Sequence, residues 1–253
     1  MIKSFVLNGL CAGCLALAGC AAPAPDNGRA AMFEEDSFKT SAGELKITFI
    51  GHASLMFSFG EQVVHVDPWS RLADYSKLPK ADVILVTHEH QDHFDPAAIA
   101  ALRKEGTEIV LTEKCAAAVP GAMVMRNGDS RTVAGLRIEA VPAYNIVHKR
   151  PSGEPFHPRG SGNGYVIAFG DTRVYAGGDT ENVPEMKQLK DIAIAFLPMN
   201  LPYTMTPEMA ADAARAFRPK ILYPYHFGET DASQLVRLLA ADKGIEVRVR
   251  KMK

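Results

Sequence analysis

Cysteine is scarce in this chain and unevenly placed: there are four in 253 residues, and Cys11, Cys14 and Cys20 all fall within the first twenty positions. Only Cys115 remains for the rest, so no intramolecular disulfide can staple a folded body built from it. Stability then has to come from a hydrophobic core. Roughly 230 residues follow the N-terminal segment, enough for one domain of ordinary density, and hydrophobic residues make up 47% of the chain. An excess of charge of one sign is also missing. The formal net charge is −1 at pH 7, which argues against nucleic acid as a general partner. Absent too is an apolar run of the about twenty residues needed to cross a bilayer. The stretch from Phe5 to Leu17 is shorter, follows Met1-Ile2-Lys3 and ends in the small residues Ala18-Gly19, which is the order of an export signal. No internal repeat is visible.

Leu17-Ala18-Gly19-Cys20 resembles the lipobox of bacterial lipoproteins. The resemblance implies that residues 1–19 are a removable signal peptide and that Cys20 carries a lipid anchor into a membrane. Residues 20–43, rich in Ala, Pro, Gly, Ser and charge, are expected to form a flexible tether, with the folded domain at 44–253. The expected location is the cell envelope, facing the periplasm. The outer membrane is expected rather than the inner, because Ala21 is not the acidic residue that often retains lipoproteins at the inner membrane.

The most informative segment is Thr87-His88-Glu89-His90-Gln91-Asp92-His93, which follows the apolar run Val83-Ile84-Leu85-Val86. That run predicts a buried strand between Pro79 and Pro96, so the segment leaves a strand end as a loop. Three imidazoles and an aspartate within six residues can converge there on a metal. Neutral imidazole nitrogen and carboxylate oxygen are donors that zinc, manganese and iron share. Two later strand ends carry further donors: Asp179 follows Gly177-Gly178, where the missing side chains permit a tight turn, and His226 follows Tyr223-Pro224-Tyr225.

Around these motifs the pattern predicts strands within Leu45–Phe59 with a break near Gly51, then at Gln62–Val66, Ile109–Leu111, Met123–Met125, Arg131–Val141, Tyr165–Phe169, Val174–Ala176, Ile192–Leu197, Ile221–Tyr225 and Ile245–Val249. Helices are predicted from Pro96 to Glu105, with Asp95 as cap, from Thr206 to Phe217, and from Ser233 to Ala241. Two sheets packed face to face with helices outside is the arrangement consistent with that order.

His-x-His-x-Asp-His resembles the signature of the metallo-β-lactamase fold superfamily, over nearly all of Glu44 to Val249. The resemblance implies an α+β, four-layer αβ/βα sandwich in a single domain. It also implies two divalent cations, with Zn2+ expected and Mn2+ or Fe2+ as alternatives. His88, His90 and a third histidine would hold the first, Asp92, His93 and His226 the second, and Asp179 would bridge them. Ala143-Tyr144-Asn145 with Phe156-His157-Pro158 resembles the ascorbate-6-phosphate-lactonase-like hydrolases, and His157 is taken as the third histidine. His148 in the same loop and Asn145, where relatives closer to N-acyl phosphatidylethanolamine phospholipase D place a ligand, stay open. Such a pair of ions lies about 3.5 to 4 Å apart and brings the pKa of a shared water towards roughly 7.

The resemblance therefore implies a metal-dependent hydrolase of phosphodiesterase or lactonase type, in which a bridging hydroxide attacks a phosphodiester, lactone or related ester of a small molecule or lipid headgroup, and Asp92 can also take the water's proton. Asp67 is expected to orient a ligand imidazole, and His52, Asn145 and Tyr203 to contact substrate, while His65 is expected to be a packed histidine. Lys149, Arg150 and Arg159 place positive charge on the loop from His148 to Asn163, suited to a phosphate or carboxylate. The alternatives are a non-catalytic metal-binding envelope protein, and a β-lactam hydrolase, against which His93 stands because the best-known β-lactamase subclass has a cysteine in its second site. Oligomeric state is not legible.

Overall fold

Alternate side chains of the central strands point into different hydrophobic layers. In the computed structural model, which describes residues 1–2 and 33–253, residues Phe33–Lys253 form one unit. The expected signal peptide, Cys20 and most of the tether lie outside the described residues. One seven-stranded sheet runs in order β1 (Glu34–Thr40), β2 (Gly43–Gly51), β3 (Ser54–Phe59), β4 (Gln62–Val66), β5 (Val83–Leu85), β6 (Glu108–Leu111) and β7 (Met123–Val124). The other is built from β8 (Ser130–Val133), β9 (Leu136–Ala143), β10 (Gly162–Phe169), β11 (Thr172–Ala176), β12 (Ile192–Pro198), β13 (Ile221–Tyr225) and β14 (Glu246–Val247), in that order across the sheet.

Period-two alternation separates the layers. Val83 and Leu85 of β5, Ile194 and Phe196 of β12, and Tyr223 and Tyr225 of β13 fill the core between the sheets. Their neighbours face outward. Ile84 and Val86 pack beneath α1 (Pro96–Leu102) and α2 (Glu113–Ala116), where Cys115 is also buried. Ala195, Leu197 and Leu222 pack beneath α3 (Pro184–Lys187), α4 (Pro207–Phe217) and α5 (Ser233–Leu239). The expected four-layer αβ/βα sandwich is thus the architecture found. None of these helices is long and apolar enough to cross a membrane.

Two differences from expectation change the strands. The predicted strand Arg131–Val141 is a hairpin, β8 and β9, turning at Ala134 (φ 46°) and Gly135 (φ 83°). Two left-handed residues suit the right-handed strand twist, but Ala-Gly lacks the Asn-Gly signature that marks such turns. The tether does not extend to residue 43: Glu34–Thr40 pairs antiparallel with β2 along its length. Its charges belong to a sheet edge, where they discourage pairing with another chain.

The last residues are tied into the body. Met252 is fully buried in the inter-sheet core. Both carboxylate oxygens of Asp36 on β1 accept hydrogen bonds from Arg250 at 2.7 Å, and Tyr223 donates to the same carboxylate. Burial works to raise the Asp36 pKa, but the hydrogen bonds from Arg250 and Tyr223 and the charges of Arg250 and Arg248 outweigh it, holding it below the ordinary 3.8. A depressed folded-state pKa contributes stability that is present above the unfolded value and lost as pH falls through the folded one. Asp36→Asn should therefore cost about 1.5–3 kcal/mol at neutral pH, the range for hydrogen bonds to charged groups. The gap to the parent chain should shrink as pH falls below 3.8, and urea unfolding at neutral and acid pH measures both.

Candidate metal centre

Strands β4 and β5 run parallel in one sheet, and β11, β12 and β13 run parallel in the other. The segments following their C-terminal ends, together with those following β2 and β9, meet at one end of the sandwich, the usual place for a site in sheets of this kind. The backbone there is constrained. His52, Asp67 and His226 have φ values of 50°, 45° and 44°, a left-handed region that non-glycine residues occupy at a cost and that clusters at functional sites. Gly178 has φ 63°, and a Cβ there would lie 2.8 Å from the Asn163 carbonyl oxygen, so only glycine lets Asp179 approach so closely.

The donors fall into two groups. His88, His90, His157 and Asp179 form one, and His52, Asp92, His93 and His226 the other, each with ligand atoms within 4.8 Å of one another. Asp179 reaches both. Its Oδ1 lies 3.3 Å from His93 Nε2 and 3.3 Å from His226 Nε2, while its Oδ2 lies 3.2 Å from His157 Nε2 and 3.9 Å from His88 Nε2. Asp92 Oδ2 lies 3.5 Å from His226 Nε2 and 3.0 Å from His52 Nε2.

Four of these atoms, His88 Nε2, His93 Nε2, His226 Nε2 and Asp179 Oδ1, are buried with no hydrogen-bond partner. Orphaned buried polar atoms are costly and uncommon, and here they converge on each other. Imidazole nitrogens and carboxylate oxygens in this arrangement fit divalent cations of the zinc, manganese or iron type.

The far sides of the rings are held. His93 Nδ1 lies 2.8 Å from Asp67 Oδ2, and Asp67 also accepts from Thr87 N at 2.8 Å and Thr87 Oγ1 at 2.7 Å. That is the orienting contact expected of Asp67, and it leaves the His93 Nε2 lone pair for the centre. Thr87 Oγ1 lies 3.0 Å from His88 Nδ1, Asn145 Oδ1 2.7 Å from His157 Nδ1, and the Asn200 side-chain amide 3.3 Å from His226 Nδ1.

Burial pushes the pKa of His88 well down, with the neighbouring His93 adding to it, and burial likewise lowers His90 and His52. Burial opposes charge on Asp179, but the surrounding imidazoles, His226 and His93 foremost with His157 in close contact, hold its carboxyl well below the usual range. Burial also opposes ionisation of Asp92, where the nearby His226 imidazole and the hydrogen bond with His52 prevail and keep it far below that range. Against burial, the carboxylates of Asp179 and Asp67 raise His93.

Of the alternatives for the third histidine, the structure brings His157 into the first group. His148 turns instead to Glu181, its Nδ1 2.7 Å from Oε1. Asn145 corrects an expectation: it is 4% exposed, its amide is engaged within the protein, and no polar atom is left for substrate. His52, also expected at the substrate, sits among the donors of the second group and stacks on His226 with ring centroids 3.7 Å apart. Tyr203 is 45% exposed and lines a cavity of about 360 Å³ with His90, Asp92, Arg150, Phe156, His157, Asp179, Asn200 and His226. His65 is packed away from the site, bonded to the Pro79 carbonyl, with burial lowering its pKa to about 4.

Glu181 escaped the sequence reading. Glu181 is fully buried and accepts hydrogen bonds from the backbone amides of Ile146, Val147 and His148 at 2.6–2.7 Å. Burial opposes its charge, and those amides with Asn145 outweigh it, so its carboxyl also lies below the ordinary value.

A family model described as a β-lactamase superfamily domain matches residues 46–226. A curated relative, the UPF0173 metal-dependent hydrolase of Pelotomaculum thermopropionicum, is 27% identical over 220 residues, covering 81% of this chain and 96% of its own. A metal-dependent hydrolase of Koribacter versatilis is 32% identical over 202 residues, covering 73% and 84%. A crystal structure from Parabacteroides distasonis is 52% identical, covers 87% of this chain and 100% of its own, and superposes with a TM-score of 0.83.

Proposed function

The chain belongs to the β-lactamase superfamily domain family and is a metal-dependent hydrolase of that superfamily; from this premise we propose that it uses two divalent cations to cleave a phosphodiester, lactone or related ester. The observation that carries the two-ion reading is Asp179, which presents one carboxylate oxygen to each donor group. His88, His90 and His157 would hold one ion with Asp179, and Asp92, His93 and His226 the other, with zinc as the expected metal. When bound, such a pair supplies an acidified water as nucleophile and Lewis-acid polarisation of the ester oxygen.

The chain's own residues supply the rest. Asp92 is one-third exposed at the cavity and can accept a proton at Oδ2, beside His52 Nε2. Arg150 puts a guanidinium on the cavity wall, 5.2 Å over the Phe156 ring, and Phe156 packs edge-on against Tyr203 at 5.0 Å. A guanidinium beside an aromatic wall suits a phosphate or carboxylate with an apolar substituent, so an anionic phosphodiester is ranked above a neutral lactone. We further propose that Cys20 anchors the protein in the cell envelope, facing the periplasm, with a small molecule or lipid headgroup as substrate.

Elemental analysis together with hydrolysis of bis-p-nitrophenyl phosphate and of a neutral lactone tests this reading. Two metals per chain with phosphodiester turnover is the expected result; less than one metal after loading with zinc or manganese, and no turnover, would overturn it. Arg150→Gln should raise KM for the phosphodiester by about 10- to 100-fold, as loss of a charged hydrogen bond implies, and leave lactone hydrolysis nearly unchanged.

A further inference from the structure

The direction of the Asn145 amide can be deduced from its surroundings. Its Nδ2 lies 3.1 Å from Glu181 Oε1 and 2.9 Å from the Tyr203 carbonyl oxygen. Both partners only accept when the glutamate is ionised, so they take the two N–H bonds of the amide. Oδ1 must then face His157, where it lies 2.9 Å from the backbone N and 2.7 Å from ring Nδ1. An acceptor at that distance requires the proton on Nδ1. Nε2, on the far side of the ring, is left with its lone pair towards Asp179 and His90.

Glu181 is what keeps this chain of contacts in one state. Its carboxylate is fully buried and collects Asn145 Nδ2, His148 Nδ1 and three consecutive backbone amides, 146–148, so it fixes the segment that carries Asn145 and shares with the Tyr203 carbonyl the hold on the amide. We propose that Glu181 is a positioning residue that, through Asn145, fixes the tautomer of His157 and so sets the strength of one of the two metal sites. The proposal rests on the two-ion hydrolase reading for the part His157 plays.

A neutral amide at 181 brings its own N–H bonds among donors, so the backbone of 146–148 and the Asn145 side chain beside it lose their anionic anchor and shift away from His157. The test combines imidazole 1H–15N spectra with zinc titration against a chromophoric chelator. The parent chain should show a His157 Nδ1–H in slow exchange and two zinc sites. Glu181→Gln should lose that signal and weaken one zinc about 10- to 100-fold, the usual effect of removing the outer partner of a ligand, while the other keeps its affinity. Retention of the Nδ1–H signal with both affinities unchanged, or equal weakening of both zincs with the signal intact, would overturn the proposal.

Should Glu181→Gln fail to fold, Asn145→Leu leaves the three backbone amides on Glu181 while removing the side-chain contacts of Asn145 to Glu181, the Tyr203 carbonyl and His157. The same loss of signal and the same one-site weakening are expected, and persistence of both properties overturns the proposal. A parent chain that binds no zinc would sink the hydrolase reading instead, and the Nδ1–H comparison in the zinc-free protein would still decide the role of Glu181.

Discussion

Asp179→Asn is expected to lower phosphodiester turnover by more than about 100-fold. Mutating the outer partner of a metal ligand typically costs 10- to 100-fold, and Asp179 is placed closer than that. Its two oxygens lie 3.3 Å from His93 and His226 and 3.2 Å from His157. An asparagine keeps the shape but offers one neutral oxygen, and turns an N–H2 group towards the other cation. Both sites should weaken together, in contrast to the one-site effect expected at Glu181. Steady-state turnover and metal content on the same preparation measure the two consequences. A variant that keeps its activity within about 10-fold, or that loses only one ion's affinity, would show that this carboxylate does not join the sites.

Metal removal is expected to lower thermal stability by about 8–16 °C. A ligand that binds only the folded chain, at a concentration about 1,000 times its dissociation constant, contributes about 4.1 kcal/mol. For a domain of roughly 150–250 residues each kcal/mol is about 2–4 °C. The donors make a large effect reasonable, because they come from both sheets: the loop after β5 supplies His88, His90, Asp92 and His93, while Asp179 and His226 follow β11 and β13. Bound cations would clamp the two sheets at that end and give partners to the atoms left orphaned there. Thermal unfolding with zinc and with a chelator measures the difference, and a midpoint indifferent to the chelator would refute the clamp.

What could be read from the sequence was local. His88, His90, Asp92 and His93 stand side by side after an apolar run, and Asp179 and His226 each follow a strand, two glycines announcing the first. Strand alternation and a capping residue such as Asp95, which accepts helix N-terminal amides as expected, made the layered fold legible. What stayed hidden depends on partners distant in the chain. Glu181 looks like an ordinary turn carboxylate until the backbone of 146–148 is brought to it. Asn145 could be placed near the centre but not assigned, since its role depends on which neighbours claim each end of its amide. The strand Glu34–Thr40 was hidden by its charges, two of which, Asp36 and Glu35, are matched to Arg250 and Lys46 only in three dimensions.

The clasp between Asp36 and Arg250 also bears on topology. With Lys251 N donating to Glu34 Oε2 at 2.6 Å, the first strand and the final residues of the described body lie alongside each other. Its path is therefore nearly a closed ring, interrupted beside an edge strand and not at the metal centre. A circularly permuted chain that joined these neighbours and opened instead at the exposed β3–β4 turn, Gly60-Glu61, would keep every donor and every strand pairing. The chemistry of the site depends on which strand ends converge, and is indifferent to where along the ring the polypeptide starts.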